Sequence, residues 1–317
     1  MKVIIWGSSG LLGSNIRKVL EENGHTVVDP MIDVLGTSEP WNDVFNFLSN
    51  HLDAKLVVNC IAFTDVDGCE TKRMLSLMLN TVWPATLGDV CWKLNLKLLH
   101  ISTDFVFDVW DTKYLIPEYA DTNPVNAYGR DKRIAEIDSL DYGAMVVRIS
   151  WLFGAHYGSS NVRETFLHAP ANLNGLDPKD YSWANKTYGT PTYAKHLAEF
   201  ICDIVEDNFT FKNDVFHFTN RNYRPVTKLV AMQMTLKAAM GLRRVGRITP
   251  RSISPDNKSK AIVGHSGASV VAQRPFNSGL SVRKIIDLGF TPPTLQQAIE
   301  EFILELDEWK KSSLVTE

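Results

Sequence analysis

Short apolar runs alternate with longer segments whose apolar residues recur at three- and four-residue intervals through the first half of the chain. The runs Lys2–Trp6, Thr26–Asp29, Leu56–Cys60, Lys97–Ile101 and Met145–Ile149 predict strands, and Gly10–Asn23, Pro40–His51, Glu70–Leu94 and Ala127–Leu140 carry the helical period between them. Strict alternation of this kind predicts a doubly wound α/β fold: a parallel sheet with helices on both faces and its ligand at the carboxyl ends of the strands. After Gly154 the pattern changes. His156–Val162 is loop-rich, a helical piece follows near Arg163–Leu173, and Leu176–Tyr181 reads as a turn. Helices are then expected at Ala194–Val205, Val226–Met240 and Leu295–Lys310, with a strand at Val215–Thr219. Arg251–Ser278 shows no clear periodicity, and so long a loop in a compact domain is usually functional or disordered. The pattern divides the chain into residues 1–154 with about 187–209 as one unit, and about 155–186 with 210–317 as a smaller α/β unit.

The first predicted strand runs directly into Gly7, Gly10 and Gly13, spaced G-x-x-G-x-x-G. A helix that opens at a strand's carboxyl end aims unpaired N–H groups and the positive end of its dipole at one point, where a pyrophosphate can sit. Glycine permits the tight turn, the close approach of phosphate and the close packing of helix on strand. This marks Gly7, Ser9, Gly10, Leu11, Leu12 and Gly13 as binding residues for a dinucleotide, and the unit 1–154 as the domain that holds it. Asp29 ends the second strand, where a carboxylate accepts from a ribose 2′-hydroxyl and repels a 2′-phosphate. The expected cofactor is NADH or NADPH, with a slight preference for NADH.

Composition narrows the partners. At 317 residues with 44% hydrophobic content, the chain buries a substantial core, and a net charge of −3 gives no broad field for nucleic acid. No apolar run approaches the roughly 18 residues that span a bilayer, and the first residues enter the glycine turn without a cleavage region, so the expectation is a cytoplasmic protein without a membrane partner. Cys60, Cys69, Cys91 and Cys202 form no C-x-x-C pair and are expected to be reduced packing residues, with no metal site.

Tyr128 and Lys132 lie four apart on the helix predicted over Ala127–Leu140, which sets both side chains on one face. An adjacent ammonium favours a phenolate and lowers the phenol's pKa from its unperturbed value of ~10. Hydride transfer to a ketone leaves an alkoxide that needs a proton, and such a tyrosine supplies it, while the lysine also reaches the nicotinamide ribose. The fourth strand ends in Ser102-Thr103-Asp104-Phe105, which places the Thr103 hydroxyl to donate to the same carbonyl. Thr103, Tyr128 and Lys132 are the expected catalytic set.

Six ordered blocks then carry a resemblance over nearly the whole length. Asn59–Glu70 resembles N-A-A-A-Y-T-x-V-D-x-x-E, Ser102–Asp108 resembles S-T-D-Y-V-F-D, and Tyr128–Glu136 resembles Y-G-x-x-K-x-x-x-E. Arg148–Gly154 resembles R-x-S-W-x-Y-G, Gly189–Thr192 resembles G-x-P-T, and Arg274–Leu280 resembles R-P-x-x-S-x-L. The chain thus resembles the dTDP-4-dehydrorhamnose reductase family of extended short-chain dehydrogenases. That resemblance implies reduction of the C4 ketone of a nucleotide-linked 4-keto-6-deoxysugar, with a dTDP-, UDP- or GDP-linked substrate and a monomer or homodimer as the working form. It implies Thr64, Val66, Thr103, Asp104, Phe105, Trp151 and Arg274 at the substrate, with Trp151 against the sugar and Arg274 near the diphosphate. It extends the cofactor set to Asp33, Asn59, Ala62 and Asn80, together with Tyr128 and Lys132. Related 4,6-dehydratases resemble T-D-E where this chain has Thr103-Asp104-Phe105, so elimination lacks its usual carboxylate. The family's D-Q-x-G-x-P-T is here Lys186-Thr187-Tyr188-Gly189-Thr190-Pro191-Thr192, a departure that allows a different sugar, and Arg243, Arg244, Arg247 and Arg251 are candidates to line a nucleotide-sugar groove. Two alternatives stand beside this reading: a non-catalytic dinucleotide-binding regulatory subunit, similar to that of methionine adenosyltransferase, and a sugar-nucleotide epimerase.

Overall fold

The computed structural model describes residues 1–157, 182–243, 251–253 and 271–313. The strands are β1 (Lys2–Trp6), β2 (Thr26–Val28), β3 (Ala54–Asn59), β4 (Leu98–Thr103), β5 (Met145–Ile149), β6 (Leu152–Phe153), β7 (Ser182–Ala184), β8 (Tyr188–Gly189), β9 (Thr192–Tyr193), β10 (Val215–His217), β11 (Val226–Thr227) and β12 (Arg251–Ile253). The helices are α1 (Leu11–Glu22), α2 (Pro40–Ser49), α3 (Val66–Thr71), α4 (Arg73–Leu77), α5 (Trp83–Lys93), α6 (Ala127–Asp141), α7 (Ala194–Val205), α8 (Lys228–Arg243), α9 (Arg283–Asp287) and α10 (Leu295–Ser313). Six strands form the central sheet in the order β2-β1-β3-β4-β5-β10, and every neighbouring pair is parallel. The order reverses between β1 and β3, which opens the crevice in which doubly wound folds bind ligands.

The uninterrupted apolar run of β1 follows from burial on both faces. Val3 and Ile5 face α1 and α7, in a core with Leu12, Ile16, Leu197 and Ile201. Ile4 and Trp6 face the other way, against Val44 and Leu48 of α2 and Trp83 and Leu87 of α5. Each such side chain removed from water contributes roughly 1.5–3 kcal/mol, and the period of two distributes them to the two cores. A third core lies apart, where α8 and α10 meet around Phe153, Tyr193, Ile299 and Phe302.

The structure departs from the expected pattern at two places. Val215–His217, expected in the second unit, is the sixth strand of the central sheet, paired with Val146–Arg148 of β5. The long helix expected over Glu70–Leu94 is broken at Lys72 and again by a π turn at Met78–Val82. Pro84 has no N–H to return to the Asn80 carbonyl, and the widened turn absorbs the mismatch. The helical piece near Arg163–Leu173, the turn at Leu176–Tyr181 and Arg244 and Arg247 lie outside the described residues, as does most of Arg251–Ser278; of Arg243 and Arg251 only the backbone is described. The four cysteines are free, and Cys69, Cys91 and Cys202 are buried. Among the described residues no helix is long and apolar enough to cross a membrane.

Helix α6 packs on the sheet with a face that includes Asp131, Lys132 and Glu136. Glu136 accepts from Arg148 of β5 through two parallel bonds, at 2.7 Å from Nε and 2.8 Å from Nη2, and from Ser102 Oγ at 2.6 Å. Glu136 is 0% and Arg148 2% exposed, so neither charge has recourse to solvent. Arg148→Met is therefore expected to destabilise the fold by up to about 3–5 kcal/mol, because it takes the bidentate partner from a buried carboxylate and leaves it only Ser102 and the partly exposed Arg133, whose Nη1 lies 3.0 Å from Oε2, whereas the double variant Glu136→Leu/Arg148→Met loses clearly less. Urea unfolding midpoints of the two variants check this, and equal losses would contradict it.

Candidate active site

The site assembles where β1, β3 and β4 end. Gly7 turns the chain with φ +83, and a Cβ on Gly13 would fall 2.1 Å from the Gly7 carbonyl oxygen, so α1 starts hard against the turn. Gly10 caps α1 without a side-chain hydrogen bond, which leaves the first-turn N–H groups of Leu11 and Leu12 aimed at the crevice. The segment after β6 straps this loop: Asn15 Nδ2 donates to the Ala155 carbonyl at 2.8 Å, and His156 Nε2 lies 2.9 Å from the Ser9 carbonyl. A cavity of about 770 Å³ opens beside it, lined by Ser8, Ser9, Arg17, Lys18, Asp29 and Tyr157 among others. An exposed anion-binding turn without a side-chain cap fits a dinucleotide's pyrophosphate.

Asp29 stands in that cavity as expected, but not alone. It accepts from Ser8 Oγ at 2.5 Å and from Arg17 Nη2 at 3.0 Å. Arg17 and Lys18 were not legible as site residues from the glycine spacing; Arg17, one helical turn beyond Gly13, is the position that returns to the end of β2. Asp33 is exposed in the turn after β2, and its carboxylate accepts from Leu35 N at 3.0 Å, outside the residues that line the cavity.

Two residues assigned to the cofactor hold the frame instead. Asn59 is fully buried, and its amide is committed to Ile61 N, Trp83 Nε1 and His100 Nδ1. Asn80, in the π turn, accepts from Phe63 N at 2.9 Å and donates to Phe63 O at 3.0 Å, which fixes the loop after β3. Their amides have the shape of backbone groups, and the irregular chain after β3 consumes them. Ala62 is half-buried in that loop and Thr64 is exposed. Val66 begins α3, capped by Asp65, whose carboxylate accepts from Gly68 N at 3.0 Å.

Asn126 caps α6 by accepting from Gly129 N at 2.8 Å. A Cβ on Gly129 would lie 2.2 Å from the Phe105 carbonyl oxygen, so glycine lets the helix descend onto the turn after β4. This approach brings the Tyr128 phenol beside Thr103, and the Phe105 ring meets it edge-on at 5.8 Å. Burial pushes the phenol well above its ordinary pKa, with the Thr103 hydroxyl opposing and Asp104 adding to the rise. Lys132 does not act on it in the expected way. Its Nζ lies 2.7 Å from the Ile101 carbonyl and 3.0 Å from His100 Nε2, and burial pushes its pKa down to about 8. One turn deeper on α6 than Tyr128, the amine reaches partners on β4 rather than the phenol. Tyr128 therefore keeps its proton, the form that a donor needs.

Asp104 lies at 2% exposure and takes three hydroxyl donors: Ser278 Oγ at 2.5 Å, Ser150 Oγ at 2.7 Å and Thr103 Oγ1 at 3.2 Å. Burial pushes its pKa up to about 6 against these bonds. Expected at the substrate, this carboxylate is spent inside the protein, where it ties the turn after β4 to Ser150 and Ser278. Trp151 adopts φ +42, and its half-buried ring packs over Gly189 with Lys228 Nζ 5.4 Å from the ring centroid. Lys228 had no sequence signal, since it becomes part of the site only through the placement of α8. Arg274, expected near a diphosphate, donates from Nη1 to Asp67 Oδ1 at 2.7 Å and to the Ala272 carbonyl at 2.8 Å, and remains 35% exposed. In the divergent Lys186–Thr192 stretch, Lys186 is exposed, while the Tyr188 ring lies 5.6 Å from Phe276.

A model of the RmlD substrate binding domain matches residues 1–308. The probable low-salt glycan biosynthesis reductase Agl14 of Haloferax volcanii is 33% identical over 172 residues, which span 51% of this chain and only 57% of that protein. The dTDP-4-dehydrorhamnose reductase of Aggregatibacter actinomycetemcomitans is 27% identical over 316 residues, covering 94% of this chain and 97% of the relative. The crystal structure of the dTDP-4-dehydrorhamnose reductase of Bacillus anthracis, in complex with NADP, superposes with a TM-score of 0.77 at 21% identity, covering 96% of this chain and 99% of that one. With one family model running from the glycine turn through the third core, the chain belongs to the RmlD substrate-binding-domain family.

Proposed function

We propose that this protein reduces the C4 ketone of a nucleotide-linked 4-keto-6-deoxysugar, drawn from the dTDP-, UDP- or GDP-linked class, with NADH or NADPH. The carrying observation is the placement of the Tyr128 phenol beside Thr103 at the carboxyl end of β4, next to the anion-binding turn. The name of the full-length Aggregatibacter relative supports the substrate class.

A bound NADH or NADPH supplies the hydride. The protein's own work is to bind, orient and protonate. The first turn of α1 holds the pyrophosphate through backbone N–H groups. Trp151 presents an aromatic face to the pyranose, and Lys228 and Arg274 set positive charge nearby. Thr103 steers the ketone oxygen, and Tyr128 delivers the proton as that oxygen becomes an alkoxide, for which even a phenol of raised pKa is acid enough. Thr103 has one hydroxyl proton, so donation to the ketone competes with its long bond to Asp104.

Three outcomes test this reading. Tyr128→Phe is expected to slow ketone reduction by about 10²-fold or more with NADH affinity unchanged, measured by stopped-flow oxidation of NADH against a panel of 4-keto-sugar nucleotides and by fluorescence titration; absence of turnover by the wild type across that panel would refute the assignment. Arg17→Gln is expected to raise KM for NADPH by about tenfold, the cost of one charge-assisted phosphate contact of roughly 1.4 kcal/mol, while Asp29→Asn weakens NADH instead; parallel changes with both cofactors would count against the two roles. Because the Asp104 carboxylate accepts its three hydroxyls only when ionised, kcat/KM is expected to fall as pH drops through about 6, and Asp104→Asn should lack that acid limb at a uniformly lower rate.

A further inference from the structure

Lys132 and the groups behind it can be counted donor by donor. Asn59 Oδ1 accepts from Ile61 N at 3.1 Å and from Trp83 Nε1 at 3.3 Å, and both of those groups only donate. The other amide atom is therefore the NH2, and it lies 3.1 Å from His100 Nδ1. Nδ1 must accept, which puts the proton of a neutral imidazole on Nε2. Nε2 in turn lies 3.0 Å from Lys132 Nζ. An ammonium has no lone pair, so it would meet that N–H donor against donor, whereas an amine accepts it and still donates to the Ile101 carbonyl at 2.7 Å. The imidazole does not escape by gaining a second proton, since full burial holds it well below its ordinary pKa and a proton on Nδ1 would meet the Asn59 NH2 donor against donor.

We infer that Asn59 and His100 are positioning residues whose hydrogen-bond order favours the neutral amine of Lys132 over the ammonium in the unliganded protein, so that the lysine gives up its charge more readily than its other surroundings alone would dictate. The hydrogen-bond order stands by itself, and its catalytic consequence rests on the reductase reading. Glu136 on the next turn of α6 faces the amine and favours its charged form, the Cys60 thiol after β3 faces it uncharged, and His100 faces it from β4. Burial outweighs the favourable carboxylate and brings the lysine to about 8. The sign follows: the ammonium exists below that pH and is lost as pH rises through it, so a step that needs the cation declines on the alkaline side.

The test uses the whole protein with ¹⁵N-labelled histidine and long-range ¹H–¹⁵N correlation spectra, the His100 signals being assigned by their loss in His100→Gln. The expected wild-type spectrum shows a neutral His100 protonated at Nε2 around neutral pH. Asn59→Asp replaces the NH2 with an acceptor, which frees His100 to carry its proton on Nδ1 and offer Nε2 to an ammonium. That variant is expected to switch the tautomer and to move the alkaline loss of kcat upward by about one pH unit or more. A wild-type His100 protonated at Nδ1, or doubly protonated, overturns the inference, as does an unswitched tautomer in folded Asn59→Asp. If Asn59→Asp does not fold, the wild-type spectrum decides alone. The expected tautomer without reduction of any keto-sugar would sink the reductase reading and leave the hydrogen-bond order standing; normal reduction with the other tautomer would do the reverse.

Discussion

The architecture depends on a helix that buries its charges. Asp131, Lys132 and Glu136 of α6 are each nearly inaccessible, and their partners come from other elements: Arg73 and Ser76 of α4 for Asp131, His100 and Ile101 of β4 for Lys132, and Arg148 of β5 with Ser102 of β4 for Glu136. Hydrogen bonds are directional, and a buried charge without its partner costs several kcal/mol. An apolar helix face tolerates a small slide across a sheet; this one does not. Tyr128 projects from the first turn of the same helix, so the register that satisfies Glu136 and Arg148 also fixes the phenol against Thr103.

A second buried acid joins regions remote in sequence. Ser278 lies 174 positions from Asp104 and Ser150 lies 46 positions away, yet both hydroxyls meet its carboxylate. The Arg274–Leu280 segment is held further by Phe276 N donating to Asp108 and by Asn277 Nδ2 donating to the Asp111 and Tyr114 carbonyls. Much of what recurs in the motif blocks thus serves to close the cleft around the reacting groups. Asp104 and Asn59 have chemically active side chains and are consumed within the frame, while the half-buried Tyr128 and the backbone of the glycine turn stay partly open.

Pairing explains where expectation and structure diverge. Helical spacing brings Tyr128 and Lys132 to one face, but where an amine ends depends on the partners within reach, and β4 supplies two, the Ile101 carbonyl and His100. Arg274 has the fork that suits a diphosphate, yet Asp67 already occupies part of it. Asp29 alone suggests a ribose diol, whereas Asp29 with Arg17 presents both an acceptor and a cation in one cavity. In each case the residue was legible and its partner was not, because the partner arrives from an element distant in the chain.

Periodicity and glycine spacing by themselves determined the parallel sheet and the glycine turn, because those properties are local: a strand buried on both faces must be apolar throughout, and a tight strand-to-helix turn must lack side chains. Tertiary structure alone decided that Val215–His217 completes the sheet, that Pro84 opens a π turn for Asn80, and that His100, Arg17 and Lys228 belong to the site. Protonation and pairing depend on which donors and acceptors lie within about 3 Å, and that proximity exists only once the chain has folded.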